Sequence, residues 1–244
     1  MRKILKYLTV LFIALSFTNC EDSNEPLNIN YVSFEGNSFD VGVDEGSETS
    51  TNIKVYTANI TNSDRVVGIS VVEEGTNLDA SAYTVPETIT IPAGTNEAIL
   101  TVNIKDVGLS LLDQMLEVKL VQTEDILVGK TLKIAAALNC PGEDKKIKIN
   151  IDFDSYPEEA AWRILDANDN TVMASSSPFG FGAYDGFSES TSIPECLPSG
   201  DYTIEVYDGY KDGGTAYSIT VDGSPVLAIE ADEYEDFFST TISF

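Results

Sequence analysis

Two short segments gather the carboxylates best placed to do chemistry. One is Asp152-Phe-Asp-Ser-Tyr-Pro-Glu-Glu159, which leads into Trp162; the other is Asp208-Gly-Tyr-Lys-Asp-Gly-Gly214, directly after an alternating run. Clustered oxygens suit a calcium ion, which takes six to eight oxygen ligands at about 2.3–2.6 Å from carboxylates, carbonyls and water. Glycine lets a loop fold tightly enough to turn such groups toward one point. Carboxylates crowded without a cation repel one another, so such a loop is costly unless it is solvated or metallated. The alternative is an exposed acidic turn beside the end of a strand.

Asp166-Ala-Asn-Asp-Asn170 resembles the start of an EF-hand loop, but that loop needs glycine where Thr171 stands and glutamate where Ser177 stands. It reads instead as a hairpin turn between Leu165 and Val172. Paired carboxylates can hydrolyse glycosides without histidine. The candidates Asp152, Asp154, Glu158 and Glu159 all sit in one segment, however, not on the opposed walls of a cleft. The chain has no histidine, which removes His-based triads, His–metal sites and the usual general base near pH 7. Phosphate loops, nucleophile elbows and metal-binding cysteine pairs are also missing, so the chain is not expected to be an enzyme.

A different chemistry is offered between Ser175 and Ser190, where Phe179, Phe181, Tyr184 and Phe187 lie among glycines and serines. Aromatic planes on a loop suit stacking on sugar rings or on a partner's apolar surface. The same rings could instead fold back over one end of a sandwich. Trp162 lies on an alternating run and is expected in the core.

The elements that must hold these loops are strands. Alternating runs bounded by Gly, Asn, Asp, Ser or Pro recur through residues 31–138, including 52–57, 67–71, 88–91, 98–104, 116–120 and 132–138. Further runs follow at 146–153, 162–165, 171–173, 202–206, 216–221 and 238–244. The pattern predicts an all-β chain of two tandem antiparallel β-sandwiches. The first, over 31–138, is Ig-like; the second, over 141–244, is jelly-roll-like, and Cys140-Pro-Gly142 marks the boundary between them. One stretch is ambiguous, because Leu109, Leu112, Leu116 and Leu120 also fit a helical stripe.

Val43-Asp-Glu-Gly46, Ala82-Tyr83, Ile89-Thr-Ile-Pro-Ala-Gly94 and Leu100-Thr-Val-Asn-Ile-Lys-Asp106 occur in an order that resembles a Calx-beta domain. In that family, acidic residues after the penultimate strands bind calcium. Here that stretch, residues 106–114, is poor in acids and rich in leucine, so the resemblance implies a spacer or adhesion-type module. The second half carries Asp154-Ser-Tyr-Pro-Glu-Glu159 to Trp162, then Cys196-Leu197, Gly200-Asp-Tyr202 and Asp208-x-x-x-Asp212-Gly213. This series resembles a secreted β-sandwich module of exported bacterial proteases and surface proteins. The resemblance implies that Asp154, Glu159, Asp208 and Asp212 are metal ligands and that the metal is calcium.

Arg2, Lys3 and Lys6 precede the apolar run Tyr7–Phe17, then Thr18-Asn19-Cys20. That arrangement describes a secretory signal rather than a spanning helix. Residues 1–19 are expected to be a lipoprotein signal peptide, with Cys20 lipidated and residues 20–30 an acidic tether; a plain signal with an incidental cysteine is the other reading. Cysteine followed at once by Glu21 and Asp22 resembles the surface-export signal of Bacteroidetes-type lipoproteins, which implies an outer-membrane anchor with the body facing outward. A two-chain lipid anchor attaches stably. With Cys20 assigned to lipid, Cys140 and Cys196 form an even pair in an oxidising context and are expected to be a disulfide, the alternative being two buried thiols.

Charge narrows the partners. The chain carries 40 acidic and 14 basic residues, a net −26; without Arg2, Lys3 and Lys6 the balance is 11 against 40, or −29. Nothing could neutralise a run of phosphates, so nucleic acid is excluded, and contact with membrane is expected through the lipid anchor only. Residues 141–244 carry 5 basic and 21 acidic residues, against 6 and 16 over 26–140, so the excess is heavier where the cation loops lie. With oxygen ligands plentiful and imidazole absent, calcium is a more natural metal than zinc. The sequence thus describes a non-catalytic cell-surface lipoprotein that binds a glycan or a surface protein. A structural accessory subunit of an outer-membrane complex is the alternative.

Overall fold

The computed structural model describes residues 29–244, in which every regular element apart from two three-residue 3-10 turns is a β-strand. The expectations for residues 1–19, for lipidation of Cys20 and for most of the tether fall outside the described residues.

In the first half, β1 (Tyr31–Phe34), β3 (Glu48–Thr57), β5 (Tyr83–Thr84), β7 (Glu97–Lys105) and β9 (Leu127–Val128) form one sheet, ordered β5-β7-β3-β1-β9. A second sheet contains β2 (Ser38–Val43), β4 (Arg65–Val71), β6 (Thr88–Ile91), β8 (Gln114–Leu120) and β10 (Leu132–Leu138), ordered β2-β10-β8-β4-β6. Alternation decides which side chains meet between the sheets. Ile53, Val55, Leu100, Val102 and Ile104 from one sheet share a core with Leu116, Val118, Ile134 and Ala136 from the other. Each large aliphatic chain buried there contributes roughly 1.5–3 kcal/mol relative to exposure.

One expectation needs correction, and one ambiguity is resolved. The first sandwich is not antiparallel throughout, since β1 runs parallel to β9 and β2 parallel to β10. Residues 31–43 serve both sheets in turn, and alternation fixes the face a side chain takes, not the direction of its strand. Nor does the leucine stripe form a helix. Leu116 and Leu120 are four apart, so they also share one face of a strand, and they pair with Ile134 and Ile69 in neighbouring strands. Leu109 is buried in the preceding loop, while Leu112 is exposed.

In the second half, β11 (Lys145–Asp152), β14 (Thr191–Leu197), β16 (Ala216–Val221) and β17 (Ser224–Ile229) form a sheet ordered β14-β11-β16-β17. Facing it is a sheet ordered β13-β12-β15-β18, made of β12 (Ala160–Leu165), β13 (Thr171–Ala174), β15 (Asp201–Asp208) and β18 (Phe237–Ser243). All pairs are antiparallel, and five of the seven connections cross between the sheets. Ile147, Ile149 and Ile151 pack against Trp162, Ile164, Ile204 and Val206 in a core separate from the first. No strand pair joins the two halves.

Cys140 and Cys196 are disulfide-bonded, as expected, with Cα atoms 5.6 Å apart. The bond ties the segment entering β11 to β14, an edge strand with one neighbour. Replacing both cysteines by serine is expected to cost roughly 2–4 kcal/mol, chiefly by freeing the unfolded chain. Urea unfolding of the two proteins gives the difference, and coincident midpoints would contradict it.

Candidate metal centre

Along β15 the alternation Tyr202, Ile204, Val206 ends on a carboxylate, Asp208, which occupies a core-facing position and is only 5 % exposed. Its Oδ1 accepts the backbone N–H groups of Tyr210 (3.0 Å), Lys211 and Asp212 (3.3 Å), folding residues 208–212 into a tight turn over the strand end. The turn then passes through Lys211 at φ +70° and Gly213 at φ +76°. A Cβ on Gly213 would stand 2.6 Å from the Tyr234 carbonyl oxygen and 2.7 Å from that of Ala231, so only glycine fits.

Glu159 arrives from the other segment. Pro157–Glu159 form a 3-10 turn that opens directly into β12, and Ala160 pairs with Asp208 across β12 and β15. The Glu159 carbonyl accepts the N–H of Gly209 at 3.0 Å, which fixes the two segments side by side. Glu159, Asp208 and Asp212 each place a carboxylate oxygen within 4.8 Å of the others, the only such trio of acidic or thiol ligands found among the described residues. Asp154 is not part of that trio. It sits beside it, with Oδ1 accepting the Tyr156 N–H at 2.8 Å and Oδ2 lying 2.3 Å from where a Cβ on Gly214 would stand. Three of the four expected ligands are therefore brought together and the fourth stands at their rim.

Electrostatics at the trio are unfavourable as they stand. Glu159 is 9 % exposed, and its carboxyl titrates above the usual glutamate range, first through burial and then through Asp208, Asp212, Asp154 and Glu158. None of the ion pairs among the described residues involves these acids; Lys211, the nearest lysine in sequence, pairs with Asp236 at 3.5 Å. Two buried phenols share this end of the core. Tyr234 donates to the Thr215 carbonyl at 2.8 Å, whereas the Tyr217 hydroxyl, in a residue 2 % exposed, has no hydrogen-bond partner. Burial foremost, with a contribution from Asp208, keeps both phenols protonated.

The aromatic loop docks on the same structure. Gly182 N–H donates to the Glu158 carbonyl at 2.8 Å, and the Phe181 ring lies 3.5 Å from the Cβ position of Gly209. Phe179, Phe181 and Phe187 are exposed at 37 %, 55 % and 46 %. Tyr184 is not a surface ring: it is buried and accepts the Trp162 Nε1–H at 2.7 Å, satisfying the indole inside the core. Trp162 itself is fully buried, as expected. The two acidic loops also carry exposed rings that are not among the expected aromatics, Tyr156 and Tyr210, each two residues after an aspartate that caps its own turn. That Asp-x-Tyr spacing was the available signal.

The remaining acidic motifs are structural. Asp166 Oδ1 accepts the N–H groups of Asn168 and Asn170 at 2.8 and 2.9 Å, making the hairpin turn between β12 and β13. Asp106, in the leucine-rich stretch of the first half, accepts the Gly46 N–H at 2.8 Å.

No family model matches the chain, and no curated protein matches it. Solved structures with some likeness include a Bacteroides ovatus protein of unknown function, at 12 % identity and a TM-score of 0.42 over 78 % of this chain and 70 % of that one. Another is a Bacteroides ovatus protein for which carbohydrate binding has been suggested, at 14 % identity and a TM-score of 0.39 over 87 % and 74 %. A third is the apo form of the Calx CBD1 domain, at 13 % identity and a TM-score of 0.38 over 46 % of this chain and 99 % of that one. Similarities this low transfer nothing to the present chain, whose reading rests on its own residues.

Proposed function

We propose that this chain is a non-catalytic surface lipoprotein whose C-terminal sandwich carries a calcium ion and binds a glycan or a surface protein. The observation that supports this most is a carboxylate trio, two of its members buried and Asp212 exposed at its solvent side, without a cationic partner. Glu159 and Asp208 lie in the protein interior and Asp212 beside them, all within coordinating reach. An all-oxygen donor set of net negative charge suits a hard divalent cation, with carbonyls and water completing its shell. Asp154, at the rim, is placed to join it. Such an ion would cancel the repulsion and pin the two loops, and through Glu158 and Gly182 the aromatic loop, in one arrangement. Acids that converge on one point serve a cation better than they serve hydrolysis, which needs an acid and a nucleophile flanking a bond.

Titration of the EDTA-treated protein with calcium chloride in a calorimeter tests the centre: one saturable site is expected, and heats equal to dilution would refute it. The anchor is tested separately. Labelled palmitate fed to expressing cells is expected to enter the protein and to be lost from Cys20→Ala; equal label in both would exclude lipidation at Cys20.

A further inference from the structure

The outer face of the sheet β13-β12-β15-β18 departs from the usual solvated, polar exterior of a sandwich. Alternation turns Trp162, Ile204, Val206 and Phe238 toward the core and leaves Arg163, Glu205, Tyr207 and Phe237 on the opposite side. Strand register sets Arg163 beside Glu205 and Tyr207 beside Phe237. Phe179, from the aromatic loop, lies over the same face.

Three rings are then contiguous. The Tyr207 centroid is 4.9 Å from that of Phe237 and 5.3 Å from that of Phe179, with the flanking phenylalanines 46 % and 37 % exposed. Next to them is a fixed polar group. Arg163 Nε donates to Glu205 Oε2, Tyr207 Oη donates to the same oxygen at 2.7 Å, and Arg163 Nη2 reaches Tyr207 Oη at 3.3 Å. The guanidinium carbon lies 5.1 Å from the Phe179 centroid and 5.9 Å from that of Tyr207. Arg163 is the one arginine of residues 141–244, and it is held by these contacts instead of extending into solvent.

We propose that this face binds an uncharged glycan, with one sugar ring against Phe237 and another against Phe179, on either side of Tyr207, and adjacent hydroxyls bonded to the Arg163–Glu205 pair. The proposal rests on reading the C-terminal sandwich as a glycan-binding module, and adds where the sugar sits and which class it belongs to. Sugar rings present an apolar C–H face that aromatic planes accept, together with a rim of hydroxyls that both donate and accept. Arginine's unused N–H groups supply the donors, and Glu205 Oε1 the acceptor, since both protein donors meet Oε2. Because the polar groups are already locked, little ordering cost is left for binding.

Charge selects among ligands. Arg163 and Glu205 cancel, so the platform is locally neutral inside a half that carries 21 acidic and 5 basic residues. A polyanionic glycan would be repelled by the surroundings, and a basic ligand would gain more from the carboxylates elsewhere than from this pair.

Native affinity electrophoresis of the full chain through gels containing a β-glucan, a mannan, a xylan, a galactan or polygalacturonate tests the proposal, with and without calcium. Retardation by at least one uncharged polysaccharide is expected, weakened about tenfold or more in Phe237→Ala and Phe179→Ala. Tyr207→Phe, which keeps the ring and removes the hydroxyl that orients Glu205, is expected to weaken it less, and Tyr156→Ala and Tyr210→Ala to leave it unchanged. Melting temperatures confirm that each variant is folded. Retardation that survives both phenylalanine substitutions would overturn this site while leaving glycan binding intact. Retardation by polygalacturonate alone would overturn the uncharged class, and retardation by none would overturn the glycan reading together with this one.

Discussion

A chain ending at Asp236 is expected to lose the folded C-terminal sandwich while residues 31–138 still unfold cooperatively. All seven residues of β18 pair with β15, and Ile242 is a buried member of the core. Beyond the strand, the Phe244 ring stacks on Tyr202 at 4.9 Å, and Phe244 and Gly200 exchange two backbone hydrogen bonds. Losing a buried side chain of isoleucine size costs roughly 2–5 kcal/mol, against a total stability of about 5–15 kcal/mol for a domain. Deletion also removes the cover from β15, turning a central strand into an edge with a row of unpaired backbone groups. In calorimetric scans the truncated chain is expected to retain one transition and lose the other. Ile242→Asp, which keeps the chain length, is expected to produce the same pattern. A truncated chain that retains both transitions would show that β18 is an accessory to the sandwich.

Alternation decides which strands of this chain are legible in its sequence. Lys146–Phe153, Ala216–Val221 and Leu132–Leu138 were legible because each has one face buried, so their apolar residues recur with period two. β14 and β17 were not, and both carry a proline, Pro194 and Pro225. Proline argues against a central strand, but both are edge strands, where a missing N–H need not break a ladder on two sides. The acidic trio was reached through the resemblance to a secreted β-sandwich module; the sequence itself ties only Asp208 and Asp212, which share one glycine-rich loop, whereas the β12–β15 pairing that brings Glu159 to them has no local signal. Asp154 could not be placed, since its distance from the others depends on how a loop folds against Gly214. Tyr184 and Phe181 are three residues apart in the same loop, yet one is core and the other surface. What separates them is the Trp162 indole, which needs an acceptor, and no local pattern announces that.

The substitution Glu159→Gln is expected to stabilise the calcium-free protein and to abolish most of its response to calcium. In the free protein Glu159 is a buried carboxyl surrounded by four other acids, so its proton is held more tightly folded than unfolded. The folded state therefore binds more protons than the unfolded state between the usual glutamate range and Glu159's own higher value, and stability falls as pH rises through that window. Glutamine has no charge to bury, so the variant in EDTA is expected to melt higher than the parent above that window and to lack this part of the pH dependence. Calcium inverts the order. It binds the deprotonated form, so the gain in stability it confers grows with pH over the same window. A ligand at a thousand times its dissociation constant stabilises by about 4 kcal/mol, which for a sandwich of this size is a shift of well over roughly 10 °C. Asp208 is the wrong residue for this test, because its carboxylate also caps the turn through Tyr210, Lys211 and Asp212, and its loss would unfold the loop whether or not a metal binds there. Melting curves of parent and Glu159→Gln at several pH values, in EDTA and in calcium, give both halves of the result. Equal calcium shifts in the two proteins would remove Glu159 from the site. A variant less stable than the parent in EDTA at neutral pH would mean that the carboxylate is already compensated, and the case for a cation at this position would fall with it.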